Sequence, residues 1–492
     1  MGKQTIAIGT LTALVVVLGG MLASSIVQRK FETKIIQSPS ASIPQFETRN
    51  SQWGKPYPHQ WDSYMEAMQE GDVSTLVTDE LAINPKLVVL WAGYGFSKDY
   101  NKPRGHNYSV VDTVNSLRTG HPKDENTGPM PATCMTCKSP DVPRLMDKEG
   151  VSGFYKGKWA RHVKEVVNPT GCGDCHNSET MALQITRPAL VEALERQGKK
   201  ITDASHQEMR SLVCAQCHVE YYFQKDGAYL TFPWDKGTTA EDMEAYYDNI
   251  AFSDWTHSVS KAPMLKAQHP GYEIFAHGIH GKRNVACADC HMPYKTVGGT
   301  KFSDHHLQSP LQNVANACQQ CHRTSEAELL QNVADLKRKV EDLKALSEEE
   351  IVRTHFEAKK AWDLGATEEE MGPALQLIRH AQWRWDFAVA AHGAYFHAPE
   401  EVLRTLGTAI HKAGQARSLL QKILYSKGFT EEVEIPDIST KAKAQAVIGL
   451  DEPELRRKKV EFINSIAKPW WKESPVRDQA FMEIIEKELR QE

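Results

Sequence analysis

All ten cysteines of this chain fall in five C-x-x-C pairs between residues 134 and 321. Four pairs are followed directly by histidine, and the first is followed by lysine. The five motifs are Cys134-Met-Thr-Cys137-Lys138, Cys172-Gly-Asp-Cys175-His176, Cys214-Ala-Gln-Cys217-His218, Cys287-Ala-Asp-Cys290-His291 and Cys318-Gln-Gln-Cys321-His322. In a C-x-x-C-H motif the two thiols attach a haem covalently and the histidine ligates its iron. The sequence therefore predicts five covalently bound haem c groups.

Other uses of C-x-x-C pairs fit this pattern poorly. A disulfide framework is typical of a short secreted chain, whereas this chain has 492 residues. Structural zinc sites also use C-x-x-C pairs, but a histidine directly after the second cysteine is not their usual spacing. A redox-active dithiol needs one such pair beside a βαβ unit rather than five.

Lys138 stands where the other four motifs place their iron ligand. A lysine amine must lose its proton before it can bind a metal, so its pKa has to fall steeply at such a site. This is a costly ligand for an iron that only carries electrons. The alternative is that Lys138 is a surface lysine and that another residue ligates the iron. We interpret the first motif as a reaction centre that is supplied by four electron-transfer haems.

Electron-transfer haems usually need a second axial ligand, and the chain has 20 histidines. The sequence context makes His106, His280, His305 and His397 good candidates. Any one of them taken singly could instead be an ordinary surface or core histidine. Four ligands are needed from sixteen remaining histidines, and this count alone does not choose among them.

The composition describes an ordinary globular protein with a formal net charge of −5 and an isoelectric point near 6.5. Because no basic stripe is present, nucleic acid is not an expected partner. Residues 1–29 combine Lys3 with a long apolar stretch, which predicts a signal peptide or an N-terminal membrane anchor. Both alternatives predict a periplasmic protein, either soluble or attached to the outer face of the cytoplasmic membrane.

The predicted fold is mainly α, a multihaem cytochrome c fold with long C-terminal helices and very little β-structure. Residues 30–58 are predicted to be a linker, residues 59–322 a pentahaem catalytic region, and residues 323–492 a long-helix region. Apolar periodicity predicts one helix over 324–365 and a second over 371–427. These helices are expected to pack on the haem core and to form a dimer interface. One small hairpin is predicted over 221–232.

Beyond the cysteine motifs, five further segments of residues 50–430 complete a specific pattern. They are Ser116-Leu-Arg-Thr-Gly120, Cys217-His-Val-Glu-Tyr221, Leu265-Lys-Ala-Gln-His-Pro270, Gly278-Ile-His-Gly-Lys282 and His397-Ala-Pro-Glu-Glu401. With this pattern the chain closely resembles the pentahaem, ammonia-forming cytochrome c nitrite reductases. The resemblance implies a six-electron reduction of nitrite to ammonium at a haem ligated by Lys138, with Arg118, Tyr221 and His269 in the distal pocket.

The resemblance also implies the remaining ligands. The distal pairs would be His176 with His305, His218 with His106, His291 with His397, and His322 with His280. Where the family has one histidine, this chain has His305 and His306, and the position relative to Cys318 favours His305. A calcium ion would be held by the Glu220 carboxylate, the Tyr221 and Lys266 carbonyls and the Gln268 amide oxygen.

The expected partners are nitrite, a membrane-bound or soluble cytochrome c that donates electrons, and a second copy of the chain in a homodimer. One alternative is a multihaem electron carrier without a substrate, in which every iron is six-coordinate. Another is a related reductase that acts on hydroxylamine or sulfite.

Overall fold

Helices account for most of the computed structural model, which describes residues 2–36, 42–68 and 77–489. The first helix, α1, spans Lys3–Ile36. Within it, Gly9–Gln28 is long and apolar enough to cross a membrane and is exposed throughout. This helix fits the predicted signal peptide or membrane anchor.

The predicted haem region is built from short helices that are separated by loops. Its α-helices are α2 (Asn50–Gly54), α3 (Pro58–Glu66), α4 (Glu80–Ile83), α5 (Lys86–Leu90), α6 (Ser109–Asn115), α7 (Asp141–Glu149), α8 (Val151–Tyr155), α9 (Cys172–Cys175), α10 (Pro188–Arg196), α11 (His206–Ala215), α12 (Ala240–Asn249), α13 (Gly271–His277), α14 (Ile279–Lys282), α15 (Cys287–His291) and α16 (Val314–Ala317). Short 3₁₀ turns lie at Gly95–Ser97, His106–Tyr108, Leu117–Thr119, Ala132–Met135, Trp159–His162, Ile201–Asp203 and Pro310–Gln312. The mainly α prediction is confirmed.

The β-structure of the described residues consists of three two-stranded antiparallel hairpins. Their strands are β1 (Tyr222–Phe223), β2 (Leu230–Thr231), β3 (Trp255–Thr256), β4 (Pro263–Met264), β5 (Tyr294–Val297) and β6 (Thr300–Ser303). The hairpin predicted over 221–232 is present, with Tyr222 opposite Thr231. The β5–β6 hairpin was not predicted, although Gly298 and Gly299 at its turn both have positive φ and are the available sequence signal.

The C-terminal region begins with the long helix α17, Glu326–Asp363, as the periodicity predicts. The predicted second helix is wrong, because residues 371–427 are divided among α18 (Glu368–Ala390), α19 (Ala394–His397) and α20 (Pro399–Ser426). Pro399 disfavours helical geometry at Ala398, which ends α19. The chain then continues through α21 (Lys441–Val447), α22 (Glu452–Phe462), a π-helical turn (Ile463–Ala467), α23 (Lys468–Glu473), a 3₁₀ turn (Gln479–Phe481) and α24 (Met482–Glu488).

The predicted linker 30–58 is also partly wrong. Helix α1 runs on to Ile36, and residues 37–41 lie outside the described part of the chain. In α2, Asn50 is fully buried, donates to the Pro169 carbonyl at 3.0 Å and accepts from the Cys172 backbone N–H at 3.1 Å. Residues 42–58 therefore belong to the haem region, where they support the second cysteine motif.

The C-terminal segment folds back on the same part of the haem region. Asp478 accepts from the Ser51 backbone N–H at 2.8 Å, and its own N–H donates to the Asn168 side chain at 2.7 Å. Trp471 of this segment is also buried.

Two buried imidazoles join the haem region to the long helices. His257 and His355 stack with their ring centres 3.7 Å apart. His355 bonds to the Ser260 hydroxyl at 2.9 Å and to the Gln382 side-chain oxygen at 2.8 Å. The Gln382 amide in turn donates to the Leu90 carbonyl. Because each ring nitrogen already has a neutral partner, protonation of this network would place a charge in a dry interior.

We expect acid to destabilise the protein through His355. Burial lowers its pKa to about 4, whereas the ordinary value is 6.5. The unfolded chain therefore binds the proton first, so the stabilisation is complete above pH 6.5 and is lost as the pH falls from 6.5 towards 4. In denaturant unfolding, His355→Phe should be less stable than the native chain at about pH 7, because the Gln382 oxygen loses its donor. As the pH falls from 6.5 towards 4, the free energy of unfolding of His355→Phe should decrease less than that of the native chain.

Exposed His411 provides the control, since His411→Gln should leave the pH dependence unchanged. Equal slopes for the native chain and His355→Phe would contradict this account.

Candidate haem-binding and active site

A single cavity of about 3210 Å³ runs through the haem region. Ordinary ligand pockets measure roughly 300–1,000 Å³, so this space suits several large groups rather than one. Nine of the ten cysteines line it, the exception being Cys134. All eight histidines that the sequence proposes as iron ligands line it as well.

The structure brings together each of the four predicted histidine pairs. The ring centres are 6.4 Å apart for His176 and His305, 6.1 Å for His106 and His218, 6.3 Å for His291 and His397, and 6.1 Å for His280 and His322. Two metal–nitrogen bonds of about 2 Å, with roughly 1.2 Å from each nitrogen to its ring centre, require a separation of about 6.4 Å. The four pairs therefore fit a metal held between the two rings.

Backbone carbonyls orient several of these rings. The Nδ1 atoms of His176, His291 and His305 lie 2.9, 3.0 and 2.8 Å from the carbonyl oxygens of Met181, Gln308 and Ser303. An N–H donated at Nδ1 leaves Nε2 as the atom available to a metal.

Burial also keeps the imidazoles neutral, as metal ligation requires. It lowers the pKa of His218 well below the usual value and that of His305 and His397 to about 4.

The two neighbouring histidines at 305 and 306 have different surroundings. His305 faces His176, whereas the Nδ1 atom of His306 lies 3.4 Å from the Glu66 carboxylate. The geometry thus favours His305 as the ring that completes the second haem site.

Close contacts between the cysteine motifs give the order of four of the five sites. The Cys137 thiol contacts Cys217, and the Cys214 thiol contacts Cys287. The first motif therefore adjoins the third, and the third adjoins the fourth. Burial and then the neighbouring Cys318 thiol raise the pKa of Cys290, so the fifth motif lies next to the fourth.

The residues inside the C-x-x-C pairs hold neighbouring motifs together. Arg187 is buried and donates to the Asp174 carboxylate at 2.5 Å and to the Thr136 carbonyl at 2.7 Å. Gln216 donates to the Asp174 carbonyl at 2.9 Å and accepts from the Thr186 N–H at 2.8 Å. The first three motifs are thus linked through side chains that do not bind haem themselves.

The first motif also differs from the others in its backbone. The N–H of Lys138 donates to the carbonyl three residues back, at Met135. In the second, third and fifth motifs the histidine N–H donates four residues back, to the first cysteine. The lysine is therefore presented from a tighter turn than the histidines.

Arg118, Tyr221 and His269 gather around this first motif and line the same cavity as Lys138. Burial raises the pKa of the Cys134 thiol to about 12, and the charges of Lys138 and Arg118 oppose the rise. Burial also raises the pKa of Tyr221 well above its usual value, with the nearby Cys137 thiol adding to the effect. These couplings place the predicted pocket residues beside one attachment site.

His269 is held against the third motif. Its ring centre lies 4.4 Å from that of His218, and its ring bonds to the Cys217 carbonyl. Burial, together with the charges of His392 and Lys138, lowers its pKa to about 3.

The predicted calcium ligands lie directly behind the pocket. Glu220 is fully buried, and its carboxylate accepts from the Gln268 backbone N–H at 2.6 Å and from the Tyr247 hydroxyl at 3.0 Å. The Gln268 side-chain amide lies 3.1 Å from the Lys266 carbonyl oxygen. Glu220 and Lys266 therefore both contact Gln268, and Tyr221 directly follows Glu220 in the sequence.

The charge balance of this region fits a bound cation. Burial raises the pKa of Glu220 well above its usual value, that of Asp254 to about 7 and that of Glu273 to about 8. The Lys266 amine forms an ion pair with Asp386 at 2.8 Å, so its positive charge is already compensated by that carboxylate. An oxygen-rich site with an excess of buried carboxylates suits calcium. No cluster of three or more His, Cys, Asp or Glu suited to a metal occurs among the described residues, so the carbonyl and amide oxygens are essential to such a site.

Sequence reasoning missed the residues that support this pocket. Asp254 accepts from the Lys266 N–H at 2.8 Å, and Asp386 accepts from the Ala267 N–H at 3.2 Å. Both hold the segment that carries Gln268 and His269. Asp386 lies in α18 among apolar residues, and a lone acid on an apolar helix face is the signal that could have identified it.

A family model described as cytochrome c552 matches residues 49–478. The chain belongs to the cytochrome c552 family. Cytochrome c-552 of Parabacteroides distasonis is 54% identical over 469 residues, covering 94% of this chain and 95% of that protein. Cytochrome c-552 of Bacteroides fragilis is 54% identical over 463 residues, covering 93% and 94% of the two chains.

The fold of this cytochrome c552 family member is also found in a solved structure. That structure is the catalytic subunit, NrfA, of the cytochrome c nitrite reductase from Desulfovibrio desulfuricans, described with two calcium sites. It matches with a TM-score of 0.73 and 29% identity, over 89% of this chain and 98% of that one. The resemblance and the multihaem cytochrome c fold inferred from the sequence are confirmed.

The pair His305 and His306 allows a direct test of the ligand geometry. We expect His305→Ala to add a high-spin haem signal in electron paramagnetic resonance and absorption spectra, because the ring opposite His176 is removed. The matched variant His306→Ala should leave the haem signals unchanged. A new high-spin signal in His306→Ala alone would reverse the assignment.

Proposed function

We propose that this protein is an ammonia-forming cytochrome c nitrite reductase, which reduces nitrite to ammonium with six electrons at the Lys138 haem. The observation that carries the proposal is a difference between the motifs. Four motif histidines each face a second imidazole, whereas Arg118, Tyr221 and His269 gather around the motif that ends in Lys138. Four haems with two protein ligands would carry electrons, and one would be open to substrate. The family and the NrfA fold support this reading.

The pocket residues have distinct tasks in this proposal. A haem c bound at this motif would supply the redox chemistry. Lys138 would hold its iron through a neutral amine. Arg118 carries a permanent charge that attracts the anion and donates hydrogen bonds to its oxygens. Tyr221 keeps its hydroxyl proton because its pKa is raised, so it remains a donor at neutral pH.

The order of the motifs supplies the electron route. The first motif adjoins the third through Cys137 and Cys217, and the third adjoins the fourth through Cys214 and Cys287. Electrons from the fourth and fifth sites would therefore reach the Lys138 haem through the third site. Cys321 of the fifth motif is exposed, whereas the cysteines of the first three motifs are not. The Lys138 site thus lies deeper in the protein than the fifth site.

Ammonium yield tests this proposal against the two alternatives. The purified holoprotein, supplied with an artificial electron donor, should convert nitrite to ammonium with one ammonium per nitrite consumed. Its spectrum should contain one high-spin haem that changes on addition of nitrite. A wholly low-spin spectrum would instead support an electron carrier without substrate. Turnover of hydroxylamine or sulfite, but not of nitrite, would support the related reductases.

Replacement of the unusual ligand tests its role. We expect Lys138→His to retain all five haems when a suitable attachment enzyme is present, because histidine serves the other four motifs. Nitrite turnover should fall by orders of magnitude, since the pocket depends on the lysine ligand and on its tighter turn. Haem content by pyridine haemochrome assay and turnover by ammonium release are the measurements. Full turnover in a correctly assembled Lys138→His protein would remove Lys138 from the mechanism.

We also propose that calcium binds at Glu220, Tyr221, Lys266 and Gln268. An ion there would hold the backbone at Tyr221 and directly before His269 and so fix two pocket side chains. The fully buried Glu220 carboxylate and its acidic neighbours support a cation at this place.

Loss of the carboxylate charge should release the ion. Glu220→Gln keeps the side-chain shape, so we expect lower calcium content by metal analysis and a large loss of turnover, with unchanged spectra for the four bis-histidine haems. Glu348 on α17 is a matched control, because it is also buried and accepts a hydrogen bond from Asn84 at 2.8 Å. Glu348→Gln should retain calcium and activity. Full activity without bound calcium would contradict the proposal.

The remaining proposals concern location and assembly. The exposed apolar helix α1 supports export to the periplasm, with the protein either soluble or held at the outer face of the cytoplasmic membrane. A membrane-bound or soluble cytochrome c would donate electrons. The long-helix region is proposed to form a homodimer, supported by the exposed side chain of Leu346 on α17.

A further inference from the structure

The guanidinium of Arg118 rests on an aromatic ring rather than on a carboxylate. Its Cζ atom lies 4.3 Å from the centre of the Phe96 ring, and its Nε donates to the Ser116 hydroxyl at 3.1 Å. Within the described ranges, Arg118 forms no ion pair. Its charge is therefore held in place without being neutralised.

Phe96 is itself fixed by other aromatic residues. It lies in the turn Gly95–Ser97, and its ring is parallel to that of Tyr94, with an interplanar angle of 1° and ring centres 5.7 Å apart. The rings of Trp91 and Tyr100 lie 5.4 and 5.5 Å away. Phe96 also lines the cavity beside Arg118. The ring is a rigid support at the edge of the pocket.

An anion-binding arginine needs support of this kind. A carboxylate partner would orient the guanidinium but would cancel the charge that attracts the anion. The face of an aromatic ring attracts a cation through its quadrupole and carries no net charge. It also occupies the flat face of the guanidinium and leaves the N–H edge free to donate to an anion.

We propose that Phe96 is a positioning residue that holds Arg118 for the anionic substrate and sets the affinity of the pocket for it. This inference rests on the proposed nitrite reduction and adds a residue to that site. Phe96 does not contact the reacting atoms in this proposal, because it acts through Arg118.

The ring has a second cationic neighbour, whose role has to be separated from that of Arg118. The Lys266 amine lies 4.9 Å from the Phe96 ring centre, but it is also paired with Asp386 at 2.8 Å. A changed ring should therefore affect Lys266 less than Arg118. Calcium content reports on the Lys266 segment and should stay constant.

Phe96→Leu in the holoprotein tests the inference, because it keeps an apolar side chain and removes the ring. Cation–π contacts predict a rise in the KM for nitrite, and in the dissociation constant from the nitrite-induced spectral shift, of between about twofold and thirtyfold. The kcat at saturating nitrite should change much less. Phe96→Tyr, which keeps the ring face, should restore both constants.

Phe429→Leu is the matched control. Phe429 also packs against a cation, with the Lys360 amine 4.6 Å from its ring centre, and lies in the long-helix region. Its replacement should leave the KM for nitrite unchanged. A similar rise in both leucine variants would mean that general loosening, and not Arg118, is responsible.

Fluorinated phenylalanines at position 96 give the sharpest test, since each added fluorine weakens the ring quadrupole with little change in size. The KM for nitrite should rise steadily with the number of fluorines, while the melting temperature stays constant. A KM that is independent of fluorination, in a protein whose native form reduces nitrite, would overturn the role of Phe96. Absence of nitrite reduction in the native protein would instead overturn the proposed function.

Discussion

The close approach of four histidine pairs is the constraint on which this structure depends, because the iron of a proposed haem has to fit between the two imidazoles of each pair. Four ring pairs lie 6.1–6.4 Å apart, and most of the paired residues are far apart in the sequence. His397, beyond α18, faces His291, so the long-helix region is tied to the haem region at that point. A side chain on Gly278 would meet the His397 carbonyl at 1.7 Å, so only glycine allows the segment carrying His280 to pass so close. The contacts that bring the histidine pairs together, and so would set the proposed iron ligation, are therefore also the contacts that pack the chain.

The intervening residues of the cysteine motifs explain how five sites can lie so close together. Arg187 joins Asp174 of the second motif to Thr136 of the first, and Gln216 of the third motif reaches the Asp174 carbonyl. Burial of such a charged pair is costly unless its hydrogen bonds are complete, and Arg187 makes several. We infer that this pair fixes the register of the motifs relative to one another. The same fixed arrangement brings the Lys138 motif into contact with the third motif.

Features that depend on local chemistry could be predicted from the sequence, and features that depend on distant neighbours could not. The cysteine spacing predicts haem attachment because the thiols and the iron ligand lie within five residues. The sequence context identified candidate distal histidines, but their pairing and the calcium residues followed only from the family resemblance, since Glu220 has no local pattern that marks it as buried. The 371–427 helix was wrong because the chain turns at residues 391–393 and again before Pro399, and these turns present His397. No sequence pattern marks Phe96, because its proposed role depends on the contact of its ring with Arg118, which lies on a separate turn.

Opposite charges lie on the two sides of the short segment Lys266–His269. The pocket is on one side and the proposed calcium site is on the other. On the cavity side, Arg118 is held by a ring and keeps its full charge for an anion. On the buried side, Glu220, Asp254 and Glu273 form an acidic region in which burial raises all three pKa values. The segment Lys266–His269 lies between them, and Asp386 and Asp254 hold its backbone. A cation on the buried side would relieve the repulsion among the carboxylates without entering the pocket. The segment could then stay rigid while a substrate anion binds and leaves on its other side.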